Sequence, residues 1–575
     1  MNDKLFYGTR GPREASIMIV GESWGNTEER EQLPFVGSSG KLLEQLLAQV
    51  GLDIDDCFIT NLIPKRPPAN KMEYFLVPTD KEKTATQLWG LYPTYELAVG
   101  IDNLYKQIEA VKPRAIIAFG NFALWALSQG TFCGFSRSTV QLFGKPPHRC
   151  RVPTGVATRR GSQLYIPGTD QYYVPKIHPA AAMRDWPSTF LIKHDNKNRI
   201  LQRQEEPQRE FITAPTFVQA MAALFTLRTM LANAPTQIAV DIENVGDFIT
   251  CIGLARSKTR AICIPFKTNS GPYWPEDQEI QIISTLRAIL THPNARLIGQ
   301  NFIYDAQFLI SNLFAKPRIA FDTMMMHSVA YPGTPRGLHY LASLYAEHYV
   351  YWKEDNGSKA PTEEADSENW RYNCLDCVYT YEAAERIREE LYFAGLEDKI
   401  EECNELWEAT LEMMLPGVRY DKEKASAFGL QLMEARAERE EFLSQAIDDS
   451  IYPRGKKKTA WYDSSHQQKE IFYDILGLKP ILHKDTKRPT VNDDAIQRLA
   501  KQAPLLAPII QRLQELRSIG TFYSSFIQKA TDLDGRMRCT FDPAGTETFR
   551  YRSYETPRGT GGNLQNIPKG NEIEE

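Results

Sequence analysis

Hydrophobic positions along this 575-residue chain change rhythm twice. In the first two hundred residues, short apolar runs alternate with amphipathic stretches. "ASIMIV" leads through a glycine-rich turn into "GSSGKLLEQLLAQVGL", followed by "CFITNLIPKRPP" (57–68) and "KPRAIIAFGNFALWAL" (112–127). That pattern predicts strands and helices in alternation. Further on, Ile238, Val240 and Ile242 alternate with Ala239, Asp241 and Glu243, and an apolar run resumes as "FITCIGLARS". A period of two predicts a strand hairpin with both carboxylates on one face. From 378 to 450 the pattern turns helical, and "PLLAPIIQRLQELRSIGTFYSSFIQKA" predicts another long helix ending near 530. The polar segments 194–210 and 353–369 read as linker or loop, the first as a domain boundary and the second as an internal loop. Two α/β regions thus precede a helical one.

Composition narrows the class. With 42% hydrophobic and 24% charged residues, the chain reads as ordinary globular protein. Nine scattered cysteines form no disulfide framework, as expected for free thiols in a reducing cytoplasm. No apolar leader and no membrane span is expected. The net charge of −5 gives no overall basic footprint, so nucleic-acid binding would rest on local patches. "PRGKKKTAWY" (453–462) and the run holding Arg536, Arg538, Arg550, Arg552 and Arg558 qualify.

Two carboxylates on one strand face repel each other unless a cation lies between them, and Mg²⁺ or Mn²⁺ prefers such oxygen ligands. Downstream, "LIGQNFIYDAQFL" (297–309) places Asp305 after Asn301 at a strand-to-helix transition. "WRYNCLDCVYTYEAAERI" (370–387) places Tyr372 and Asp376 at i and i+4 on one helix face. This ordered set, Asp-x-Glu, Asn-x-x-x-Asp and Tyr-x-x-x-Asp, resembles the DEDDy 3′–5′ exonucleases, the proofreading domain type of DNA polymerases. The resemblance implies that Asp241, Glu243, Asp305 and Asp376 hold two divalent ions, Mg²⁺ or Mn²⁺, and that Tyr372 orients the attacking water. Cys374 and Cys377 read as packing residues and Asp322 as a structural carboxylate beneath the site.

"LPGVRYDKEKA" (415–425), the long helices and the tail "GGNLQNIPKG" resemble family A DNA polymerases. The family's Thr-x-Thr-Gly-Arg-Leu-Ser-Ser segment is altered here to "TETFRYRS" (546–553), with Phe549 standing for the glycine. The resemblance implies that Arg550, Gln565 and Asn566 lie along the primer–template minor groove. The family's palm aspartates and fingers helix are missing from this sequence. The expectation is that it cannot polymerise alone, being either a truncated fragment or one whose palm and fingers come from a second chain.

The first region, roughly 7 to 190, resembles the family 4 uracil-DNA glycosylases through "GESWG", "PFVG", "CFITNLIPKRPP" and "YVPKIHPAAAMRD". The resemblance implies that Phe35 stacks on an extruded base, Asn61 reads the uracil edge and His178 stabilises charge on the departing uracil. Glu22 or Glu28 would position water. Ser23 and Trp24 depart from the family pattern, and Lys65 stands about where a cluster cysteine is expected, so no iron–sulfur cluster is expected.

The resulting expectation is a multidomain α/β protein: a uracil-DNA glycosylase-like α/β/α domain (1–205), an RNase H-like DEDDy exonuclease domain (206–395), and a mostly helical family A polymerase thumb with the start of the palm (396–575). The function read from it is DNA replication, as the N-terminal part of a bacteriophage-type family A DNA polymerase, with DNA as partner and no membrane. The alternatives are a repair-type nuclease–glycosylase and a DNA-binding accessory subunit with a vestigial polymerase segment.

Overall fold

The computed structural model describes residues 4–567 apart from 141–147, 186–187, 201–203, 354–362, 449, 453–458 and 485. The lysine-rich part of the 453–462 patch therefore lies outside the described residues. The chain divides into two compact units, Met1–Asn404 and Glu405–Glu575.

The first unit holds two sheets. In one, the fully buried strand Phe58–Ile63 and the strand Ala115–Phe119 flank the strand Ile17–Ser23 in parallel, and Tyr172–Lys176 continues the sheet. An antiparallel edge, Leu164–Tyr165, closes it. Helices lie on both sides, because strands buried on both faces need cover on both. Successive strands are added first on one side of Ile17–Ser23 and then on the other, so the ends of that strand and of Ala115–Phe119 open a crevice suited to a ligand.

The second sheet has six strands, in the order Ile319–Asp322, Ala295–Gly299, Thr236–Val245, Phe248–Ser257, Arg260–Pro265 and Glu210–Ile212. The hairpin read from residues 237–255 is present, with Gly253 opposite Asp241 and Cys251 opposite Glu243. A 32-residue helix, Glu363–Ala394, packs across the sheet. It begins at residue 363, within the polar segment 353–369 that was read as an internal loop. Burial of Cys374, Cys377 and Val378 against the strands overrides the polar start of the segment.

The segment 194–210 is not a linker throughout. Residues 194–199 end the helix Ser188–Arg199, in which Asp195, Asn196 and Arg199 are fully buried. Polar composition misled there because each buried group meets a partner within the unit: Arg160 for Asp195, Lys176 for Asn196, and backbone carbonyls for Arg199.

The second unit is built from the helices Lys422–Ala446 and Ala507–Phe522, packed together, with Asp493–Gln502 against the latter. Among the described residues no helix is long and apolar enough to cross a membrane.

Candidate functional site

In the first sheet, five residues singled out in the sequence, Glu22, Glu28, Phe35, Asn61 and His178, line one cavity of about 650 Å³. It opens at the ends of the parallel strands Ile17–Ser23 and Ala115–Phe119, where the strand order switches sides. Gly21 pairs with Asn61 in register, and a Cβ there would stand 2.1 Å from Asn61 Oδ1 and 2.7 Å from the Phe35 ring. Glycine at 21 is therefore what lets the amide and the ring share the pocket floor. Phe35 itself sits at φ +53°, uncommon for a bulky residue, and its ring stacks on His178 at 5.7 Å.

His178 caps the short helix Pro179–Ala182, its Nδ1 accepting from Ala180 N at 3.2 Å. Burial, with Arg184 nearby, lowers its pKa to about 4. The ring is thus neutral, and with Nδ1 accepting, its proton is on Nε2. Glu22 accepts from Phe122 N at 2.9 Å, yet burial raises its carboxyl to about 7. Glu28 accepts from Gly37 N at 2.9 Å, pinning the loop after Phe35. Lys65, about where the family resemblance places a cluster cysteine, pairs with Glu96 at 3.2 Å.

In the second sheet, strand, helix start and long helix bring Asp241, Glu243, Asp305 and Asp376 within electrostatic reach of one another. Burial first, then neighbouring carboxylates, raises Asp241 well above its ordinary range; burial, then Asp376, raises Glu243 to about 7. Asp305 is also raised well above its range, chiefly by burial. Three of the four acids, Asp241, Asp305 and Asp376, have a donor in place. Asn373 Nδ2 donates to Asp241 Oδ2 at 2.8 Å and Ile242 N to Asp305 at 3.0 Å. Trp352 Nε1 donates to Asp376 Oδ1 at 2.5 Å, and Lys353 Nζ donates to Asp376 Oδ2 and, at 2.6 Å, to Tyr372 Oη. Among the described residues no three His, Cys, Asp or Glu side chains stand as a ready metal cage. The donor set nonetheless fits divalent cations: burial and then mutual repulsion disfavour the charged forms of Asp241, Glu243 and Asp305, and a cation among their oxygens relieves both.

Asp322 lies beneath this cluster. It accepts from Asn301 N, Phe302 N and Met324 N, fixing the turn before Asp305, where Asn301 sits at φ +55°. Gly253 lets the long helix approach, since a Cβ there would be 2.4 Å from Asn373 Oδ1. Trp352, Lys353 and Asn373 escaped the sequence reading. Asn373, one residue after Tyr372, was within reach of it, whereas "YWK" beside a polar loop gave no signal.

In the second unit, Arg550, Gln565 and Asn566 are all exposed. Asn566 lines a cleft of about 760 Å³ with Arg517 and Lys529, and Arg550 and Gln565 lie outside it. The arginine run does not form one free basic patch. Arg538 is engaged by Asp532 and Asp534, and Arg536 donates to the carbonyls of Pro416 and Gly417. Phe549 adopts φ +55°, the left-handed geometry that the glycine expected there would take freely.

Comparison with known proteins follows these divisions. Residues 9–203 match the Uracil DNA glycosylase superfamily and residues 215–392 a 3′-5′ exonuclease family. A DNA polymerase of Bacillus phage SP01 is 22% identical over 97% of this chain, which spans 63% of that protein. The type-4 uracil-DNA glycosylase of Pyrobaculum aerophilum is 34% identical over 30% of the chain and 71% of its own length. DNA polymerase I of Borreliella burgdorferi is 26% identical over 54% of the chain and 34% of its own length. The chain belongs, through its first domain, to the type-4 uracil-DNA glycosylase family, and joins to it a 3′-5′ exonuclease domain and a region homologous to family A DNA polymerases.

Proposed function

We propose that the chain acts on DNA as part of a family A replicative polymerase, with a metal-dependent 3′–5′ proofreading exonuclease at Asp241, Glu243, Asp305 and Asp376. The observation that carries this reading is the gathering of four mutually repelling carboxylates, Asp305 and Asp376 buried and Asp241 and Glu243 half-buried, from a strand, a helix start and the long helix. These residues would hold Mg²⁺ or Mn²⁺, whose chemistry is to activate water and stabilise the leaving 3′ oxygen. The protein's own part is positional. Lys353 donates to the Tyr372 oxygen and so holds the phenol in place, where it would orient a water or a phosphate oxygen. Asn373 and Ile242 N fix Asp241 and Asp305 in place.

The test is digestion of 3′-labelled single-stranded DNA with Mg²⁺ or Mn²⁺. Losing a ligand removes several kcal/mol of charge stabilisation, so Asp241→Ala should slow digestion by about 10²–10³-fold. Undiminished digestion by that variant would sink the assignment.

For the first domain, the proposed role is to receive an extruded uracil-type base. Phe35 offers a stacking face, Asn61 an edge-reading amide, and neutral His178 an Nε2–H donor toward developing charge. Lys65 paired to Glu96 supports a domain without an iron–sulfur cluster. In the second unit, Arg550, Gln565 and Asn566 are proposed to meet the primer–template.

A further inference from the structure

The glycosylase domain and the exonuclease cluster share one short stretch of chain. The helix Leu338–Tyr345 runs into irregular chain up to Lys353, and its two ends are held by different domains. At the near end, Arg199 of the glycosylase domain is 1% exposed and donates to the carbonyls of Ser343, Ala346 and Glu347 at 3.1, 2.7 and 2.9 Å. Arg160, paired with Asp195 at 2.8 Å, donates to Ser343 Oγ at 2.6 Å. Ser162 Oγ accepts from Tyr351 N at 3.2 Å, and Val350 packs against the glycosylase core. At the far end, Trp352 and Lys353 are the side chains that hold Asp376 and Tyr372. Trp352 is itself clamped by stacking on Tyr379 at 4.3 Å.

We propose that the glycosylase domain is a structural part of the exonuclease site: Arg199, assisted by Arg160 and Ser162, positions the stretch 343–353 and thereby the Trp352 and Lys353 contacts to Asp376 and Tyr372. This rests on the exonuclease reading above. Arg199 contacts the backbone carbonyls of 343–347 rather than the acids, so it is a positioning residue. The guanidinium suits the task because its planar fork reaches several carbonyls at once, which a single ammonium cannot. Loosening the stretch would let Asp376 and Tyr372 wander, and misplacement of about 1 Å costs about a hundredfold in rate.

The experiment uses the full 575-residue chain in wild-type, Arg199→Ala, Arg199→Lys and Ser162→Ala forms, with Lys106→Ala, from an exposed pair with Asp102, as control. Arg199→Ala should lower kcat for single-stranded DNA by roughly ten- to a hundredfold with KM changed less than about threefold. Arg199→Lys should recover part of that loss, and Ser162→Ala should lose only about two- to fivefold. Hydrogen exchange should speed up within 343–353 in Arg199→Ala, while the strands 17–23 and 236–245 keep their protection. In a Trp352→Phe background, the kcat effect of Arg199→Ala should shrink, as for residues acting through one another. Unchanged exchange at 343–353 overturns the proposal, as do additive effects on kcat. If Arg199→Ala loses protection everywhere, Ser162→Ala and Arg199→Lys decide by the same two criteria. A wild-type chain with no nuclease activity refutes the exonuclease reading instead, and exchange at 343–353 then judges the clamp by itself.

Discussion

Glu22 illustrates how a single half-buried residue ties a pocket to pH. Folding holds its carboxyl at about 7 rather than the ordinary 4.5, chiefly by burial, so the native state favours the protonated form. Its contribution to stability is full below about pH 4.5 and is lost as pH rises through 7. Glu22→Gln should therefore reduce the stability lost between pH 4.5 and 8 by roughly 3 kcal/mol, read from urea midpoints at the two pH values. A pH slope matching wild type would show that Glu22 is already ionised in the fold. Gly21 offers a steric test of the same pocket. With a Cβ 2.1 Å from Asn61 Oδ1, Gly21→Ala must displace the amide or the Phe35 ring. Stacking is worth about 1–3 kcal/mol per base, so affinity for uracil-containing DNA should fall by roughly ten- to a hundredfold, with thymine and cytosine duplexes little affected. Equal affinities of wild type for all three duplexes would remove the base-reading role.

Among the elements, the helix Ser188–Arg199 carries the most consequence for its length. Its last turn buries Asp195, Asn196 and Arg199, and Arg160 holds Asp195 well below the usual carboxylate range, at about 2. Asp195→Ala would leave the Arg160 guanidinium buried without its acid, at a cost of about 3–5 kcal/mol. Asp195→Asn should cost less, since the amide oxygen still accepts from Arg160. Urea denaturation of both variants measures the difference, and near-wild-type stability of Asp195→Ala would mean the pair is solvated in solution. The long helix Glu363–Ala394 shows the opposite economy: Tyr372, Asn373 and Asp376 place an orienting phenol, an amide for Asp241 and a candidate ligand within two turns.

For the whole molecule, the division at Asn404 predicts two cooperative transitions in calorimetry, since each unit has its own core. Asp195→Ala should lower only the transition of the unit 1–404. A shift of both would show that the units unfold together.

The pairing of Asp241 with Glu243 on one strand face and the i, i+4 spacing of Tyr372 and Asp376 were legible because strand and helix periods fix which side chains share a face, whereas Phe35, Asn61 and His178 were named through the resemblance to the family 4 uracil-DNA glycosylases alone. The hairpin at Asp241 and the strand-to-helix turn at Asp305 were readable for the same local reason. What lay outside the sequence was everything set by contacts between distant segments. Polar composition made 194–199 read as a linker, although tertiary partners bury it. The basic run near 536–538 read as a phosphate patch, although acids and carbonyls nearby consume Arg536 and Arg538. Lys353 had no periodic signature, because its role depends on Asp376 being brought beside it by packing. Local pattern thus determined the chemistry each segment could offer, and only the fold decided which charges would be buried, paired and brought to bear on one another.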